Sequence, residues 1–510
     1  MLFNSYIYIL IFLPLAAVTF YMAGSRLHRK LSIAWLVIAS LFFYGWWNPA
    51  YLWLIIGSAV FNFFLGGLLS DRVTKSWKLP LLLAGISVNL SLLGYFKYAN
   101  FFIDNVNFVF GADIELAQIF LPLAISFFTF QQISFLIDSY RGEIKDYNFI
   151  HYMLFVTFFP QLIAGPIVHH AEMMPQFDRD ETYKPHLGNI EVGLSIFAIG
   201  LFKKVILADY FATYSSPIFD AVDSGMALSM LECWLGAAAF SLQLYFDFSG
   251  YSDMAIGSAR LFGIKLPINF YSPFKAENTS QLWRRWHMTL TRFATAYIFM
   301  PMTISRGRRA IKNNANEQVK FWSSVAYPLM VTFLIIGVWH GAGWNFVIFG
   351  ILQGVFIITN SLWQQFRRNA LNQNLYETTV AGRIFARGIT TTCAIYSLVF
   401  FKAATTTGAM MMASGMLGLD GISLETPLID AESFVLYGTG AFAIIYLLPN
   451  TQQLFVDYEP SLEPPRKEDR RWLEKLKWEP NWQWATICSA MFIAAFVNMS
   501  KVSEFIYFQF

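Results

Sequence analysis

Long apolar runs alternate with short polar segments along the whole chain of 510 residues. A helix needs about 20 mostly apolar residues to cross the hydrocarbon core of a bilayer, and many of the runs have this length. The candidate spans cover residues 5–23, 31–47, 50–69, 79–96, 116–137, 149–167, 190–208, 229–247, 287–303, 321–339, 343–361, 383–402, 434–449 and 486–508. The pattern predicts an all-α polytopic membrane protein with about 11 true spans and some re-entrant pieces.

Proline, glycine or polar residues interrupt several of these runs, as at Pro122 and within residues 160–166. Hydrocarbon offers no partners to the backbone groups that such a break releases, so a lipid-exposed helix does not tolerate it. We therefore expect the broken segments to be buried in protein or to line a cavity.

Basic residues predict the orientation of the chain in the membrane. Arg26, Arg29 and Lys30 follow the first span closely. A second basic group fills the predicted loop before residue 321, at Arg306, Arg308, Arg309, Lys312 and Lys320. The positive-inside rule places both segments in the cytoplasm and the N-terminus outside.

The chain contains no internal repeat and no separate soluble domain, so we predict one integral membrane domain over residues 1–510. Its core covers about residues 80–360, and further spans follow over 380–510. A charged segment at 453–480 interrupts these later spans. Within it, Trp472, Leu473 and Leu476 have the spacing of a short interfacial helix, although a solvated loop fits equally well.

Composition excludes several other classes of protein. Hydrophobic residues make up 56% of the chain and charged residues only 14%, against about 25% charged residues in a soluble domain. A formal net charge of +3 does not favour nucleic acid as a partner. Three cysteines without CxxC spacing predict neither a disulfide framework nor a metal site.

Polar residues within apolar runs are costly, so each is a candidate functional residue. His340 ends an apolar run that begins near Pro328, and at about 1.5 Å per residue it lies deep in the membrane. Gly341 and Gly343 follow and allow a helix break beside the ring. A neutral imidazole in an apolar cavity is a competent general base. The alternative is a core histidine bonded to a neighbouring helix.

His287 stands where a basic run enters another apolar segment, directly after Arg284, Arg285 and a tryptophan. The arginines can bind the phosphates of an anionic ligand. From the pattern alone, a positive-inside anchor with snorkelling arginines is the more favoured interpretation.

Two carboxylates, Asp247 and Asp253, lie in an aromatic segment that also contains Tyr245. Gly250 separates them, so the segment need not form one straight helix. The acids can orient a histidine, cap a broken helix or pair with an arginine, and structural pairing is favoured. No phosphate loop, nucleophile elbow or dinucleotide fingerprint occurs in the sequence context that each requires.

Six segments, in order, resemble the membrane-bound O-acyltransferase (MBOAT) family, and its bacterial alginate-type polysaccharide O-acetyltransferases above all. They are GYFKYANFF, LPLAISFFTFQQISFLIDSYRG, FFPQLIAGPI, QLYFDFSGYSDMAIG, QLWRRWHMTL and GVWHGAGWNFVIFG. The likeness extends from about residue 1 to residue 360.

The resemblance implies a ring of helices around a central tunnel that is narrowest near the catalytic histidine. It implies catalytic roles for His340 and His287, with no bound cofactor. The acyl thioester donor, acetyl-CoA or another thioester, would enter from the cytoplasm, and the acceptor from the opposite face. It also implies a bacterial inner-membrane location and a partner acetyltransferase outside the cytoplasm that completes transfer to a polysaccharide.

One segment departs from the family pattern. After the WRRWH-like motif, relatives carry an Arg-Asp pair and then a Gly-Gly turn, where this chain has Thr295-Ala296 and Thr303-Ile304. The lost charges put the donor entrance, or the docking of a partner, in doubt. The acceptor polymer should therefore not be assumed to be alginate.

The predicted function is transfer of an acyl group to a hydroxyl with His340 as general base. We place Trp339, Asn345 and backbone N–H groups near Gly341 among the groups that can hold the oxyanion. Arg284, Arg285, Tyr245, Asp247 and Asp253 complete the candidate substrate-binding residues. The alternative function is a secondary transporter or flippase, although the chain lacks the paired inverted repeats common in transporters.

Overall fold

The structure is a computed structural model that describes residues 1–26, 29–72, 74–144, 148–375, 379–463, 476–499 and 505–506. Within these ranges the protein is helical and has no strands, which confirms the predicted all-α class. Trp472 and Leu473 of the predicted interfacial helix lie outside the described residues.

The α-helices of the described residues are, in chain order, α1 (Leu13–Arg26), α2 (Arg29–Gly45), α3 (Leu52–Gly67), α4 (Lys75–Phe110), α5 (Ile125–Arg141), α6 (Phe149–Thr157), α7 (Phe159–Leu162), α8 (His170–Phe177), α9 (Leu187–Phe202), α10 (Asp209–Asp223), α11 (Met230–Arg260), α12 (Thr279–Trp283), α13 (Met288–Ala294), α14 (Met300–Lys312), α15 (Glu317–Phe321), α16 (Tyr327–His340), α17 (Trp344–Asn369), α18 (Val380–Lys402), α19 (Thr406–Met416), α20 (Ala431–Leu447), α21 (Thr451–Leu454) and α22 (Trp482–Asn498). Short π-helical segments extend several of them, at Tyr8–Phe12, Leu68–Arg72, Lys203–Ala208, Thr295–Phe299 and Trp322–Ala326. Short 3-10 helices lie at Pro49–Tyr51, Asp180–Tyr183, Pro273–Lys275 and Val456–Tyr458.

Among the described helices, five are long and apolar enough to cross a membrane. They are Pro49–Ser70, Lys75–Phe110, Glu317–His340, Trp344–Asn369 and Val380–Lys402. Two shorter apolar helices are Tyr8–Gly24 and Ala431–Leu447. The protein is therefore a multi-pass membrane protein, and the total of about 11 spans stays a prediction.

One prediction of local structure is wrong, and one alternative that the sequence left open is decided. The basic segment before residue 321 is not a loop, because α14 and α15 cover most of it. Asp247 and Asp253 share a single continuous helix, α11. Gly250 does not break that helix. A Cβ atom there would lie 2.7 Å from the carbonyl oxygen of Gly200, so the missing side chain lets the backbone of α9 pack closely against α11.

The chain forms two compact units. Unit 1 comprises Met1–Val205, Phe248–Ile268 and the described part of Thr451–Gln509, and unit 2 comprises Ile206–Asp247 and Asn269–Asn450. The prediction of a single domain over residues 1–510 stays a prediction.

Polar side chains pair inside unit 1 where apolar helices meet. The Asn62 side-chain amide on α3 donates to Asn89 Oδ1 on α4 and to Gln132 Oε1 on α5, each at 3.0 Å. Because hydrocarbon cannot satisfy these groups, buried amides in a membrane protein bond across helices. This cluster links α3, α4 and α5.

Asparagine and threonine begin many of the helices. A side-chain oxygen at such a position accepts a hydrogen bond from a backbone N–H of the first turn, which has no partner within the helix. The residues that cap helices in this way include Asn148, Asn278, Asn316, Thr379 and Asn481. The caps at Asn278 and Thr379 begin α12 and α18, which both belong to unit 2.

Candidate active site

The helices α16 and α17 form a hairpin in unit 2 with very close backbones. A Cβ atom on Gly350 would lie 2.5 Å from the carbonyl oxygen of Phe333, and one on Gly337 would overlap the carbonyl oxygen of Phe346. Small residues let membrane helices approach closely, so these two glycines determine the separation of the pair. The contact therefore fixes the position of His340, the last residue of α16.

His340 is 4% exposed and is surrounded by aromatic rings. The centroid of its ring lies 5.0 Å from that of Phe401 and 6.1 Å from that of Phe349, both in edge-to-face geometry. Gly341 follows in an extended conformation, and any side chain there would overlap the ring of Phe346. The glycine after His340 is thus required by packing.

His287 is completely buried and has an unusual backbone conformation. Its φ of +42° lies in the left-handed region, which residues other than glycine seldom adopt. The residue immediately precedes α13 and turns the chain into that helix. Such backbone strain is concentrated at functional sites, where the surrounding structure maintains it.

Asn269 defines the tautomer of His287. The Thr289 hydroxyl and backbone N–H both donate to Asn269 Oδ1, at 2.6 and 3.4 Å, which identifies this atom as the amide oxygen. His287 Nδ1 lies 3.2 Å from the same oxygen. Since an amide oxygen only accepts, Nδ1 carries the hydrogen, and in the neutral ring Nε2 carries the lone pair.

Trp339 connects the two histidines. Its ring centroid lies 4.8 Å from that of His340 and 6.3 Å from that of His287. The tryptophan is 6% exposed. The structure therefore brings both predicted catalytic residues into one buried cluster within unit 2, as expected from the sequence motifs.

A chain of hydrogen bonds fastens the segment before His287 to the hairpin. Trp283 Nε1 donates to Gln353 Oε1 at 3.0 Å, and Gln353 Nε2 donates to the Ser397 hydroxyl at 2.7 Å. The Thr291 hydroxyl donates to the Trp283 carbonyl at 3.0 Å. These bonds join α12, α17 and α18 around the site.

The two arginines of the motif lie nearer the surface than the histidine. Arg284 is exposed and Arg285 is half-buried. The Arg285 carbonyl accepts from the backbone N–H of Tyr271 at 2.9 Å, which fixes the path of the chain but not the guanidinium. Anion binding and interfacial anchoring both stay open predictions for these side chains.

Tyr245 and Asp247 are buried on α11. The Tyr245 ring packs against Phe274 at 5.5 Å and Trp286 at 6.3 Å between centroids. Trp286 is the residue before His287, so Tyr245 supports the segment that carries this histidine. The predicted contact of Tyr245 or Asp247 with substrate stays a prediction.

The Asn345 side chain makes a hydrogen bond that links two helices of unit 2. Its side-chain amide donates to the carbonyl oxygen of Ala403 at 2.8 Å, which ties the start of α17 to the end of α18. This contact helps to hold Phe401 against His340. The predicted role of Asn345 in binding an oxyanion stays a prediction.

Asp253 belongs to unit 1, whereas both histidines belong to unit 2. Its carboxylate pairs with the Lys203 ammonium at 2.7 Å and accepts from the Thr451 hydroxyl at 2.6 Å. Lys203 in turn donates to the Thr451 oxygen at 2.7 Å. This is the structural pairing that the sequence favoured for the acid, with a lysine as the cation instead of an arginine.

Sequence reasoning missed Asn269, Gln353 and Phe401. Asn269 lies between α11 and α12 in a segment without helical periodicity, and nothing in its neighbourhood marks it as a histidine partner. Phe401 is one of 52 phenylalanines, so composition does not distinguish it. Gln353 lies within an apolar run, and its polarity alone was a usable signal.

The segment that departs from the family pattern is helical. Thr295 and Ala296 belong to the π-helical stretch between α13 and α14, and Thr303 and Ile304 lie within α14. From α14, the Arg306 guanidinium packs over the Tyr327 ring at 3.7 Å from its centroid, at the start of α16. A continuous helix thus occupies the position of the family's Gly-Gly turn.

Comparison with known proteins agrees with these motifs. Residues 118–401 match the model of the MBOAT, membrane-bound O-acyltransferase family. The chain is 41% identical to a peptidoglycan O-acetyltransferase of Helicobacter pylori over 453 residues, which covers 83% of this chain and 81% of the relative. It is 35% identical to the probable alginate O-acetylase AlgI of Pseudomonas aeruginosa over 368 residues, covering 70% and 65% of the two chains.

A third relative has a different acyl group in its name. The teichoic acid D-alanyltransferase of Streptococcus thermophilus is 29% identical over 259 residues, covering 49% of this chain and 59% of that protein.

The matched residues 118–401 include both histidines and Trp339. The chain belongs to the MBOAT family and is a multi-pass membrane O-acyltransferase.

Proposed function

We propose that this protein is an O-acetyltransferase of the bacterial inner membrane that modifies a glycan of the cell envelope. The relatives are named for peptidoglycan, alginate and teichoic acid, and the names describe a peptidoglycan O-acetyltransferase, a probable alginate O-acetylase and a teichoic acid D-alanyltransferase. The greater identity to the peptidoglycan enzyme than to the alginate protein favours an acceptor other than alginate. The observation that carries the proposal is the buried cluster of His340, Trp339 and His287.

In the proposed reaction, His340 removes the proton from an acceptor hydroxyl as its oxygen attacks the thioester carbonyl carbon. A C–O bond forms and the carbonyl oxygen becomes an oxyanion. When the tetrahedral intermediate collapses, the C–S bond breaks and the thiolate takes the proton from the His340 imidazolium. The products are an ester and a thiol, and the histidine returns to its neutral state.

His287 contributes a hydrogen-bond acceptor in this proposal. With Nδ1–H donated to Asn269, Nε2 is the ring nitrogen that carries the lone pair, and we assign it to orient the acceptor hydroxyl or a second hydroxyl of the same sugar. Trp339 separates the two imidazoles and offers an apolar face to a sugar ring or an acetyl methyl. The two imidazole rings therefore have different proposed roles, His340 as the base and His287 as a hydrogen-bond acceptor.

We assign the donor to the cytoplasmic side, with acetyl-CoA as the simplest thioester and Arg284 and Arg285 as partners of its phosphates. The acceptor, or a partner acetyltransferase that passes the group onward, reaches the site from the opposite face through the tunnel that the family resemblance implies. Backbone N–H groups near Gly341 and Gly343 are the proposed donors to the oxyanion.

The test compares a deletion strain carrying the native protein with one carrying His340→Ala. Acetate released by mild alkali from purified envelope glycans should fall at least about 100-fold, because general base catalysis contributes roughly 10²–10⁴-fold. The control is His170→Ala in unit 1, a histidine that also packs against aromatic rings, those of Phe135 and Phe155. It should keep native acetylation, and both variants should reach native levels in the membrane.

Native acetylation by His340→Ala would overturn the assignment of the base. Purified protein should also transfer radiolabelled acetyl from acetyl-CoA to glycan fragments. A transporter or flippase would instead move substrate across vesicles without releasing thiol. Activity with an acyl carrier protein but not with acetyl-CoA would reject acetyl-CoA as the donor.

A further inference from the structure

A large groove lies in unit 1, whereas the histidine cluster belongs to unit 2. It has a volume of about 1230 Å³ and is lined by α1 with its π-helical extension, by α9 and by α22. We call it the α1–α9–α22 groove. Its walls are mainly apolar, and several lining side chains are strongly exposed, among them Leu10, Val18, Leu194 and Ile493.

The length of the groove matches the hydrocarbon thickness of one leaflet of a bilayer. Along α22 the lining extends from Trp482 to Ile493, which at 1.5 Å per residue is about 16 Å. Half of the hydrocarbon core of a bilayer is about 15 Å thick. An acyl chain of one leaflet therefore fits the groove from the interface to the midplane.

Tyrosine and tryptophan side chains line one end of the groove. Tyr21 at the end of the α1 lining donates to the Leu261 carbonyl at 2.7 Å. Trp478, Asn481 and Trp482 line the same end, ahead of the apolar part of α22. Tryptophan and tyrosine prefer the headgroup level of a membrane, which identifies this end as the interfacial one. The basic residues that follow α1 place it on the cytoplasmic side.

Two carboxylates line the interfacial end. Glu191 lies near the start of α9, and Glu479 precedes α22. Burial raises the pKa of the nearby Tyr458, and the charges of Glu479, Asp457 and Glu191 raise it further. Among the described residues that line the groove, the charged side chains are Glu191 and Glu479, and the neighbouring Lys477 ammonium is paired with Asp457 at 2.9 Å. This end of the groove therefore attracts a cationic headgroup more strongly than an anionic one.

We propose that the α1–α9–α22 groove binds one phospholipid of the cytoplasmic leaflet with a primary ammonium in its headgroup. Its tails lie along Leu10, Val18 and Ile493, and its ammonium pairs with Glu191 and Glu479. Such a lipid joins the first, ninth and last described α-helices of unit 1. The site is independent of the proposed acetyl transfer.

The experiment is native mass spectrometry of the full-length protein after exchange from detergent into vesicles of equal phosphatidylethanolamine and phosphatidylglycerol content with identical tails. The native protein should retain one phosphatidylethanolamine, favoured over phosphatidylglycerol by about fivefold, as a partly exposed charge pair provides. Glu191→Gln with Glu479→Gln should bring this ratio to about one, since the charge that selects the ammonium is gone.

A matched pair of tryptophan variants tests the location. Ala485 lines the groove on α22, whereas the exposed Thr486 beside it does not. Ala485→Trp should abolish lipid retention, and Thr486→Trp should leave it unchanged. Equal retention of both lipids by the native protein, or retention that Ala485→Trp does not affect, would overturn the proposal. A dimer that Ala485→Trp alone dissociates would show that a second copy occupies the groove.

Discussion

The ion pair of Asp253 in unit 1 and the imidazole of His340 in unit 2 are both polar groups buried in apolar surroundings, yet they are held differently. Asp253 is enclosed by the Lys203 ammonium and the Thr451 hydroxyl, with contacts of 2.6 to 2.7 Å. The close neighbours of His340 include the rings of Trp339, Phe349 and Phe401. An ammonium and a hydroxyl stabilise the first group, and packing against aromatic rings helps to position the second.

This difference separates a structural role from a chemical one. A carboxylate that is bound by an ammonium and a hydroxyl stabilises the fold, because removing either partner leaves a buried polar group without a compensating contact. In the proposed reaction, the imidazole that packs among aromatic rings exchanges a proton with the substrate. The comparison therefore predicts that variants in unit 1 change stability and variants around the histidines change turnover.

Asp253→Ala gives the largest expected effect. It removes the counterion of Lys203, and we expect a loss of about 3 kcal/mol in the free energy of unfolding. The measurement is thermal unfolding of the purified protein in detergent, followed by tryptophan fluorescence. Turnover per folded molecule should remain native. The double variant Lys203→Met with Asp253→Leu should recover most of the stability, and a turnover defect without unfolding would break the comparison.

Gly337→Ala tests whether backbone contact positions His340. The added methyl group overlaps the Phe346 carbonyl, and we expect a cost of about 2 kcal/mol together with reduced turnover, because α16 and α17 must separate. Gly57→Ala in α3 is the matched control, since a Cβ atom there meets nothing within 4 Å. A Gly337→Ala protein with native stability and turnover would contradict the role of the close contact.

Asn269→Ala gives the smallest expected effect. Loss of the acceptor for His287 Nδ1 should lower acetyl transfer about tenfold, because a misplaced catalytic group loses rate steeply. The free energy of unfolding should fall by about 1 kcal/mol in thermal unfolding, because the Thr289 hydroxyl loses the same buried acceptor.

Asn269→Asp is the informative companion to that variant. It keeps the acceptor but adds a charge that favours the protonated imidazole. The acidic limb of the pH–rate profile should therefore move to higher pH. An unchanged profile would remove His287 from the proton chemistry.

Much of the fold was predictable because a lipid bilayer requires the segments that cross it to be apolar helices. Apolar runs of membrane-spanning length became helices such as α16, α17 and α18, with ends close to the predicted ones. The sequence left open whether Gly250 breaks its helix, since a glycine that breaks a helix and one that packs against a neighbouring backbone look alike in sequence. The pairing of Lys203 with Asp253 was also invisible, because the two residues are far apart along the chain.

The two candidate catalytic histidines could be chosen from the sequence, whereas the residues that support them could not. His340 and His287 stand out because polar groups in apolar runs are rare. Asn269 and Gln353 act through geometry that only the folded chain creates. Trp339 was predicted as an oxyanion contact, but its position between the two histidines required three-dimensional structure.

In the proposed reaction, the backbone contact between α16 and α17 limits how the surroundings of His340 can change to accept a larger acyl group. Neither Gly337 nor Gly350 has room for a side chain, so this contact cannot be remodelled by substitution. Phe401 on α18 faces the same imidazole from another helix and carries a bulky ring that can be shortened. Redesign toward propionyl or butyryl groups should therefore begin at position 401.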